Sequence, residues 1–227
     1  MFLSVVIPVY NEEKTIKSVL DVHVQRLGCL EQWEIVCLDD ASTDGTWDIL
    51  RGYASRQPRL RLIRHDINQG ISYSFQQLFQ EARGEYIYLT AGDGQWPAAN
   101  LTHMLEVCRT KNADLVIGVR QNRKQVYNLG RRILSWGFNF LAESFLHVHA
   151  EDVNGIKLGR REIFTQPVHS KSFFAEVERL ALAHKKGYHI VQTPILFLPR
   201  LHGKPQGARW GNVMATLMDF IRLMLCR

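Results

Sequence analysis

Three polar clusters in the first hundred residues, each closing an apolar run, carry the side chains best suited to chemistry. The first is Pro8-Val9-Tyr10-Asn11-Glu12-Glu13, and the second is Asp39-Asp40-Ala41-Ser42-Thr43-Asp44-Gly45-Thr46. The third is Thr90-Ala91-Gly92-Asp93-Gly94-Gln95-Trp96-Pro97. A tyrosine ring stacks on a base, and carboxylates accept hydrogen bonds from base or ribose donors. Asp93 and Gln95 offer oxygen ligands suited to Mg2+ or Mn2+, which usually also take ligands from substrate phosphates. The segment Asp39–Gly45 also has a purely structural reading, as a turn that caps a following helix. Neither GxGxxG nor GxxxxGK[ST] occurs, so dinucleotide and P-loop chemistry fall away, and HExxH is missing too. His147 and His149 alternate beside a predicted helix end and read as surface or core.

The elements that must position these clusters alternate. Leu3–Tyr10 is a β-branched run suited to a strand buried on both faces, and 14–27 has apolar residues at helical spacing. Strands over 34–38, 60–64, 85–90 and 115–119 are separated by helices over 46–54, 71–82 and 98–109. Strand then helix, repeated, predicts an α/β fold with a mostly parallel central sheet and helices on both faces. Such sheets bind ligands at the carboxyl ends of their strands, so all three clusters fall along one edge. Beyond residue 120 the rhythm breaks. The pattern there predicts a basic loop over 121–128, a helix over 129–146 and a short strand over 156–158. A helix over 174–186, a strand over 189–197 interrupted by Pro194, and a basic Gly/Pro loop over 199–211 follow. The last segment, 212–227, carries Met214, Leu217, Met218, Ile221 and Leu225 on one stripe. That stripe fits either packing on the sheet or an amphipathic helix on an anionic membrane.

Composition narrows the class. With 46% hydrophobic residues in 227, the chain is a folded globule rather than a disordered one. Cys29, Cys37, Cys108 and Cys226 are far apart, giving neither a zinc pattern nor a disulfide framework, and point to a reducing compartment. The start lacks a basic n-region, so no secretory signal is expected. The net charge of +6 is unevenly divided: residues 1–113 carry 11 Lys and Arg against 14 Asp and Glu, and 114–227 carry 17 against 8. A basic half implies an anionic partner. Its charges lie in loops without a nucleic-acid motif, so phosphate groups or an anionic membrane are expected and nucleic acid is not.

The strings Val5-Val6-Ile7-Pro8-Val9-Tyr10-Asn11-Glu12-Glu13 and Asp39-Asp40-Ala41-Ser42-Thr43-Asp44-Gly45-Thr46 resemble family 2 glycosyltransferases of the GT-A fold. Asn68-Gln69-Gly70 and Ala82-Arg83-Gly84-Glu85-Tyr86-Ile87 extend the likeness. Gly118-Val119-Arg120, Arg131-Arg132-Ile133-Leu134-Ser135 and Asp152-Val153-Asn154-Gly155-Ile156-Lys157 are similar to the family's polyprenyl-phosphate (dolichyl-phosphate) sugar transferases. Glu176-Val177-Glu178 and Arg200 with Gly203-Lys204 continue that pattern. The resemblance implies one GT-A domain over 1–211, with a nucleotide-sugar half over 1–119, an acceptor half over 120–211 and an amphipathic helix over 212–227. It implies that Pro8, Tyr10, Glu12, Asp39 and Asp40 hold the nucleotide. Asp93 and Gln95 match a DxDxQ run that supports a divalent ion on the sugar diphosphate. Ala91 stands where that run begins with an acid, so a weakened Mg2+ or Mn2+ site is expected. Gly92 is expected to let the backbone approach the diphosphate.

The implied reaction is inverting transfer of a sugar from a UDP- or GDP-sugar to an undecaprenyl or dolichyl phosphate, by a protein peripheral to the cytoplasmic face of a membrane. A lipid phosphate is already ionised near neutral pH and needs no general base. The site must supply positive charge and in-line placement. Asp93 and Arg120 are the catalytic candidates, and Arg120, Arg131, Arg132, Arg200 and Lys204 the acceptor-phosphate candidates. Arg131 and Arg132 equally suit a solvated or lipid-facing helix edge, and Arg160 and Arg161 the surface. Glu176 and Glu178 suit either orientation of sugar hydroxyls or the acceptor loop, or pairing with those arginines. Two rival readings stay open. One is transfer to a saccharide hydroxyl, with Glu176, Glu178 or Asp152 as base. The other is a nucleotide-sugar-binding protein whose metal site has decayed at Ala91.

Overall fold

The structure is a computed structural model that describes residues 1–121, 150–200 and 210–225. Seven strands form one sheet in the order β3-β2-β1-β4-β6-β5-β7. They are β1 (Leu3–Val9), β2 (Trp33–Asp39), β3 (Leu60–Arg64), β4 (Tyr86–Leu89), β5 (Leu115–Arg120), β6 (Lys157–Arg160) and β7 (Ile190–Ile195). The helices between the first five are α1 (Ile16–Leu27), α2 (Thr46–Ala54), α3 (Ile71–Glu81) and α4 (Ala99–Thr110). Later come α5 (Arg161–Phe164), α6 (Phe174–Lys185) and α7 (Trp210–Leu225). Every residue of β1 and β2 is buried, which is why both read as unbroken apolar runs: helices cover both faces.

β1 pairs in parallel with β2 and with β4, and β2 with β3, so the polar clusters after β1, β2 and β4 do share one edge. The pattern of the first half does not announce β6, which runs antiparallel between β4 and β5. Because it is reversed, its first residue, Lys157, lies at the same edge as the ends of β4 and β5. Arg160, opposite Tyr86, lies at the far edge, paired with Asp114 at 2.6 Å. Arg161, at the start of α5, donates to the Ala82 carbonyl at 2.6 Å. Both arginines are therefore remote from the clusters.

Pro194 does not interrupt its strand. Among the described residues β7 is the outermost strand and pairs with β5 alone, and Pro194 opposite Val119 leaves no missing donor between described strands. The predicted helix over 129–146 lies outside the described residues, as do Arg131, Arg132 and Lys204. Among the described residues, no helix is long and apolar enough to cross a membrane. α7 docks through Asp219, whose carboxylate accepts the Lys171 and Ser172 backbone N–H groups at 3.0 and 2.9 Å. Phe220 meets Phe174 edge to face at 5.6 Å. Met214, Met218 and Ile221 stay about half exposed on another side of the helix.

Candidate active site

The loops after β1 and β2 interlock. Asn11 and Ala41 both adopt left-handed backbone, with φ of 54° and 59°. Asn tolerates that conformation, whereas Ala at this position is strained by roughly 1–2 kcal/mol. The interlock holds both turns. The Asn11 N–H donates to Ser42 Oγ at 2.9 Å, and Asn11 Oδ1 accepts the Thr43 N–H at 2.8 Å. The Glu12 N–H donates to Thr46 Oγ1 at 2.8 Å, and Glu13 accepts the Gly45 N–H at 3.0 Å. Asp44 accepts the Thr46 N–H at 3.0 Å. Ser42, Thr43, Asp44 and Thr46 thus serve turn and helix start, as the structural reading of this segment has it.

The acidic pair divides its work. Asp39 is wholly buried; Oδ1 accepts the Ser42 N–H at 3.3 Å, and Oδ2 forms an ion pair with Arg64 at 3.2 Å. Asp40 accepts the Gln69 and Gly70 N–H groups at 2.8 Å each and lies 2.7 Å from His65 Nδ1. Its carboxylate is spent on holding the loop that leads into α3, where Gly70 has a φ of 86° that glycine alone adopts easily. Tyr10 is half-buried beside this edge.

At the centre lies a second group. Thr15 Oγ1 bonds Glu12 Oε2 at 3.1 Å and the Gly92 carbonyl at 2.8 Å, joining the β1 and β4 loops. Pro8 is buried, and its carbonyl accepts the Gly92 N–H at 3.4 Å. A Cβ on Gly92 would press on Val9 and Ile16 at 3.3–3.4 Å, so the lack of a side chain here serves close packing of the turn. Glu12 Oε1 is ion-paired with Arg200 Nη2, and the same nitrogen stands 3.9 Å from Asp93 Oδ2. Burial holds the Glu12 carboxyl above its usual range against the pull of Arg200, with the Asp93 charge adding to the rise. Asp93 Oδ1 accepts the Gln95 N–H at 3.1 Å, and Gln95 Nε2 donates to the Leu198 carbonyl at 3.0 Å.

These donors fit a divalent ion in part. Position 91 presents no side-chain oxygen, and one Asp93 oxygen stands 3.9 Å from a guanidinium nitrogen. Among the described residues, no group of three His, Cys, Asp or Glu is placed to hold an ion. Asp93 and the Gln95 amide oxygen suit an ion that brings most of its ligands with it, as a diphosphate-bound Mg2+ does.

In the half expected to serve the acceptor, Arg120 and Asp152 form a buried bidentate pair, Nε–Oδ2 at 2.6 Å and Nη2–Oδ1 at 2.5 Å. The guanidinium lies over the Trp96 and Phe197 rings at 5.5 and 5.2 Å. Gly155 makes the pair possible: a Cβ there would fall 2.0 Å from the Gly118 carbonyl oxygen, so only glycine lets this loop cross β5. Glu176 lies 3.0 Å from Lys157 and 2.5 Å from Arg179, all three buried or nearly so. Burial pushes Glu176 up, but the two cations outweigh it and hold the carboxyl below its usual range. Burial likewise pushes Glu178 up, and the His169 and Ser170 N–H groups, with the His169 ring, outweigh it.

The sequence reading missed the Arg120–Asp152, Lys157–Glu176 and Glu12–Arg200 pairings. Partners 32, 19 and 188 residues apart leave no periodic trace, although each motif had drawn notice by itself.

The model of Glycosyl transferase family 2 matches residues 4–166, which include every one of the strand-end clusters. The chain belongs to glycosyltransferase family 2. Its fold is the GT-A fold of that family. Within known proteins it is 30% identical over 211 residues to a dolichyl-phosphate beta-glucosyltransferase of Trichomonas vaginalis, an alignment covering 86% of this chain and 65% of that protein. It is 31% identical over 167 residues to a dodecaprenyl-phosphate galacturonate synthase of Rhizobium johnstonii, covering 72% and 49%. The chain thus spans about half to two thirds of the length of these relatives. Among solved structures, glucosyl-3-phosphoglycerate synthase from Mycobacterium tuberculosis with Mn2+, UDP-glucose and phosphoglyceric acid superposes with a TM-score of 0.74. That likeness has 18% identity, covers 97% of this chain and 79% of the other, and concerns the fold. The same synthase with Mg2+ and UDP gives 0.67 at 19% identity, covering 96% and 79%.

Proposed function

We propose that this chain is an inverting glycosyltransferase that moves a sugar from a UDP- or GDP-sugar to a polyprenyl phosphate at the cytoplasmic face of a membrane. One observation carries the choice of acceptor: the carboxylates that a hydroxyl acceptor would need as base are already engaged. Asp152 is paired with Arg120, Glu176 with Lys157 and Arg179, and Glu178 with two backbone N–H groups. Glu176 and Glu178 are held below the usual carboxylate range, which makes them poor bases. A phosphate acceptor asks for none, because its oxygen is already anionic. The relatives named for dolichyl-phosphate and dodecaprenyl-phosphate chemistry favour the same acceptor class.

In this reading residues 1–119 hold the donor. Tyr10 lies beside the nucleoside, Pro8 fixes the β1 turn, Asp39 acts from beneath through Ser42 and Arg64, and Asp40 acts through the loop it clamps. Asp93 and Gln95 would hold Mg2+ or Mn2+ together with the diphosphate; when bound, the ion offsets charge building on the leaving group. Arg200, with Arg131, Arg132 and Lys204 of the basic stretches, gathers the acceptor phosphate, and Arg120, neutralised by Asp152, braces the wall beneath it. The lipid oxygen attacks the anomeric carbon from the face opposite the leaving diphosphate, so configuration inverts. The membrane part rests on Met214, Met218 and Ile221, an exposed apolar stripe at helical spacing beside Arg222.

The test is transfer by the purified chain with polyprenyl phosphate in detergent and a panel of UDP- and GDP-sugars, following nucleoside diphosphate release. Lipid-dependent release from one donor supports the reading. Release that needs a saccharide hydroxyl instead, or nucleotide binding with no release from any donor, refutes it.

A further inference from the structure

The guanidinium of Arg200 sits where the chemistry of the site calls for a different cation. Its Nη2 is paired with Glu12 and stands 3.9 Å from Asp93, so one guanidinium is shared between a nucleotide-candidate carboxylate and the metal-candidate carboxylate. We propose that Arg200 is a placeholder cation: it neutralises Glu12 and Asp93 in the donor-free protein, excludes a divalent ion from them, and yields only when an ion arrives with a nucleoside diphosphate.

Three features of the structure support this. A guanidinium does not deprotonate in a protein, so no accessible pH relieves its repulsion of a second cation. Position 91 supplies no carboxylate that would help an ion compete. Arg200 is also mechanically joined to the ligand it opposes. The Leu198 N–H donates to the Gln95 carbonyl at 2.9 Å, and Gln95 Nε2 donates to the Leu198 carbonyl at 3.0 Å. Arg200 follows Leu198 by two residues, so the tether that holds Gln95 also holds the competing cation in place. An ion with its own diphosphate oxygens needs less from Asp93 and can displace the guanidinium. Arg200 then turns to a bidentate contact with a phosphate. This last step rests on the function proposed above; the exclusion of the ion does not.

The test titrates the full chain with Mn2+ alone, reading the free ion by electron paramagnetic resonance, with no sugar or lipid present. Arg200→Gln is expected to bind Mn2+ at least about tenfold more tightly than the unaltered chain, because a unit charge within a few ångströms of the ion is gone. Arg200→Lys keeps the charge and should stay close to the unaltered chain. Asp93→Asn added to Arg200→Gln should remove the gain. Adding UDP or GDP to the unaltered chain should bring Mn2+ binding into view. A natively melting Arg200→Gln with no gain overturns the proposal. So does an unaltered chain that binds Mn2+ as tightly without nucleotide as with it, a result that needs no variant to fold. Loss of the transfer reaction in the earlier assay would sink the proposed function and leave this result standing.

Discussion

Asp152→Asn is the sharpest probe of how the acceptor side is built. Asp152 is 1% exposed and Arg120 7%, and two side-chain hydrogen bonds of 2.5–2.6 Å join them, with a third from the Arg120 N–H at 3.3 Å. Removing one partner of a buried pair leaves an uncompensated charge and costs about 3–5 kcal/mol. Asn keeps the volume and one acceptor oxygen, and the guanidinium keeps its aromatic faces, so the low end applies, about 3 kcal/mol. For a chain of this size each kcal/mol moves the melting midpoint by about 2–4 °C, giving a fall of about 6–12 °C. Thermal melts by circular dichroism, with urea midpoints at unchanged slope, measure it. The companion variant removes both charges: Arg120→Met with Asp152→Leu should be more stable than Asp152→Asn alone, since no ion is stranded. A loss under about 1 kcal/mol for Asp152→Asn, or a double variant less stable than the single one, would refute the claim that this pair is a structural unit.

Asp93→Asn should lower kcat/KM for transfer by on the order of a hundredfold while the melting midpoint stays near the parent's, in the assay described above. Glu178 gives a signed pH dependence. Its folded carboxyl lies below the ordinary 4.5, so the stability it contributes is complete above pH 4.5 and is lost as pH falls through the lowered value. Urea midpoints of Glu178→Gln from pH 3 to 7 should accordingly show a flatter acid limb than the parent, and equal slopes would contradict the assignment. Glu12, raised instead, has the opposite sign, since its ionisation above pH 4.5 works against folding. Met218→Glu on the exposed stripe should weaken sedimentation with anionic vesicles several-fold without moving the melting midpoint, because Met218 is 49% exposed. Unchanged sedimentation would place the membrane contact elsewhere.

The parallel half of the fold was legible because its information is local. β1 and β2 are apolar along their whole length for the one reason that they are covered on both faces, and the polar clusters mark where that cover ends. β6 was visible only as a short strand without direction. Four residues, two of them charged, carry no period, and Lys157 is tolerated inside because Glu176 on α6 meets it. Pro194 misled for a related reason: the sequence shows a missing donor but not that the strand lies at the sheet edge, where the donor is not needed. Gly155 and Gly92 were legible as glycines, but whether their lack of a side chain serves ligand or packing depends on the neighbours, Gly118 in one case and Val9 with Ile16 in the other.

The basic half shows most clearly what charge counting can and cannot deliver. An excess of 17 cations over 8 anions in residues 114–227 suggested a surface waiting for phosphate. Folding withdraws much of it. Arg120 goes to Asp152, Lys157 and Arg179 to Glu176, and Arg160 to Asp114, and the first three of these cations are buried. Even Arg200 is held, by acids of the donor half that no count within the acceptor half includes. Two further groups of basic residues stand in the sequence, Arg123, Lys124, Arg131 and Arg132 in one and Lys204 and Arg209 in the other. In sequence they flank the segment from Asp152 through Phe197, which supplies partners of Arg120. Arg200, just before the second group in sequence, is paired with Glu12 and stands 3.9 Å from Asp93. Charge that is paired before the ligand arrives fixes the shape of the wall, and charge that changes partner when the ligand arrives supplies the binding energy. Arg120 belongs to the first kind and Arg200 to the second, so the two arginines should respond oppositely to substitution. Losing Arg120 should cost stability first, and losing Arg200 should cost ligand response first.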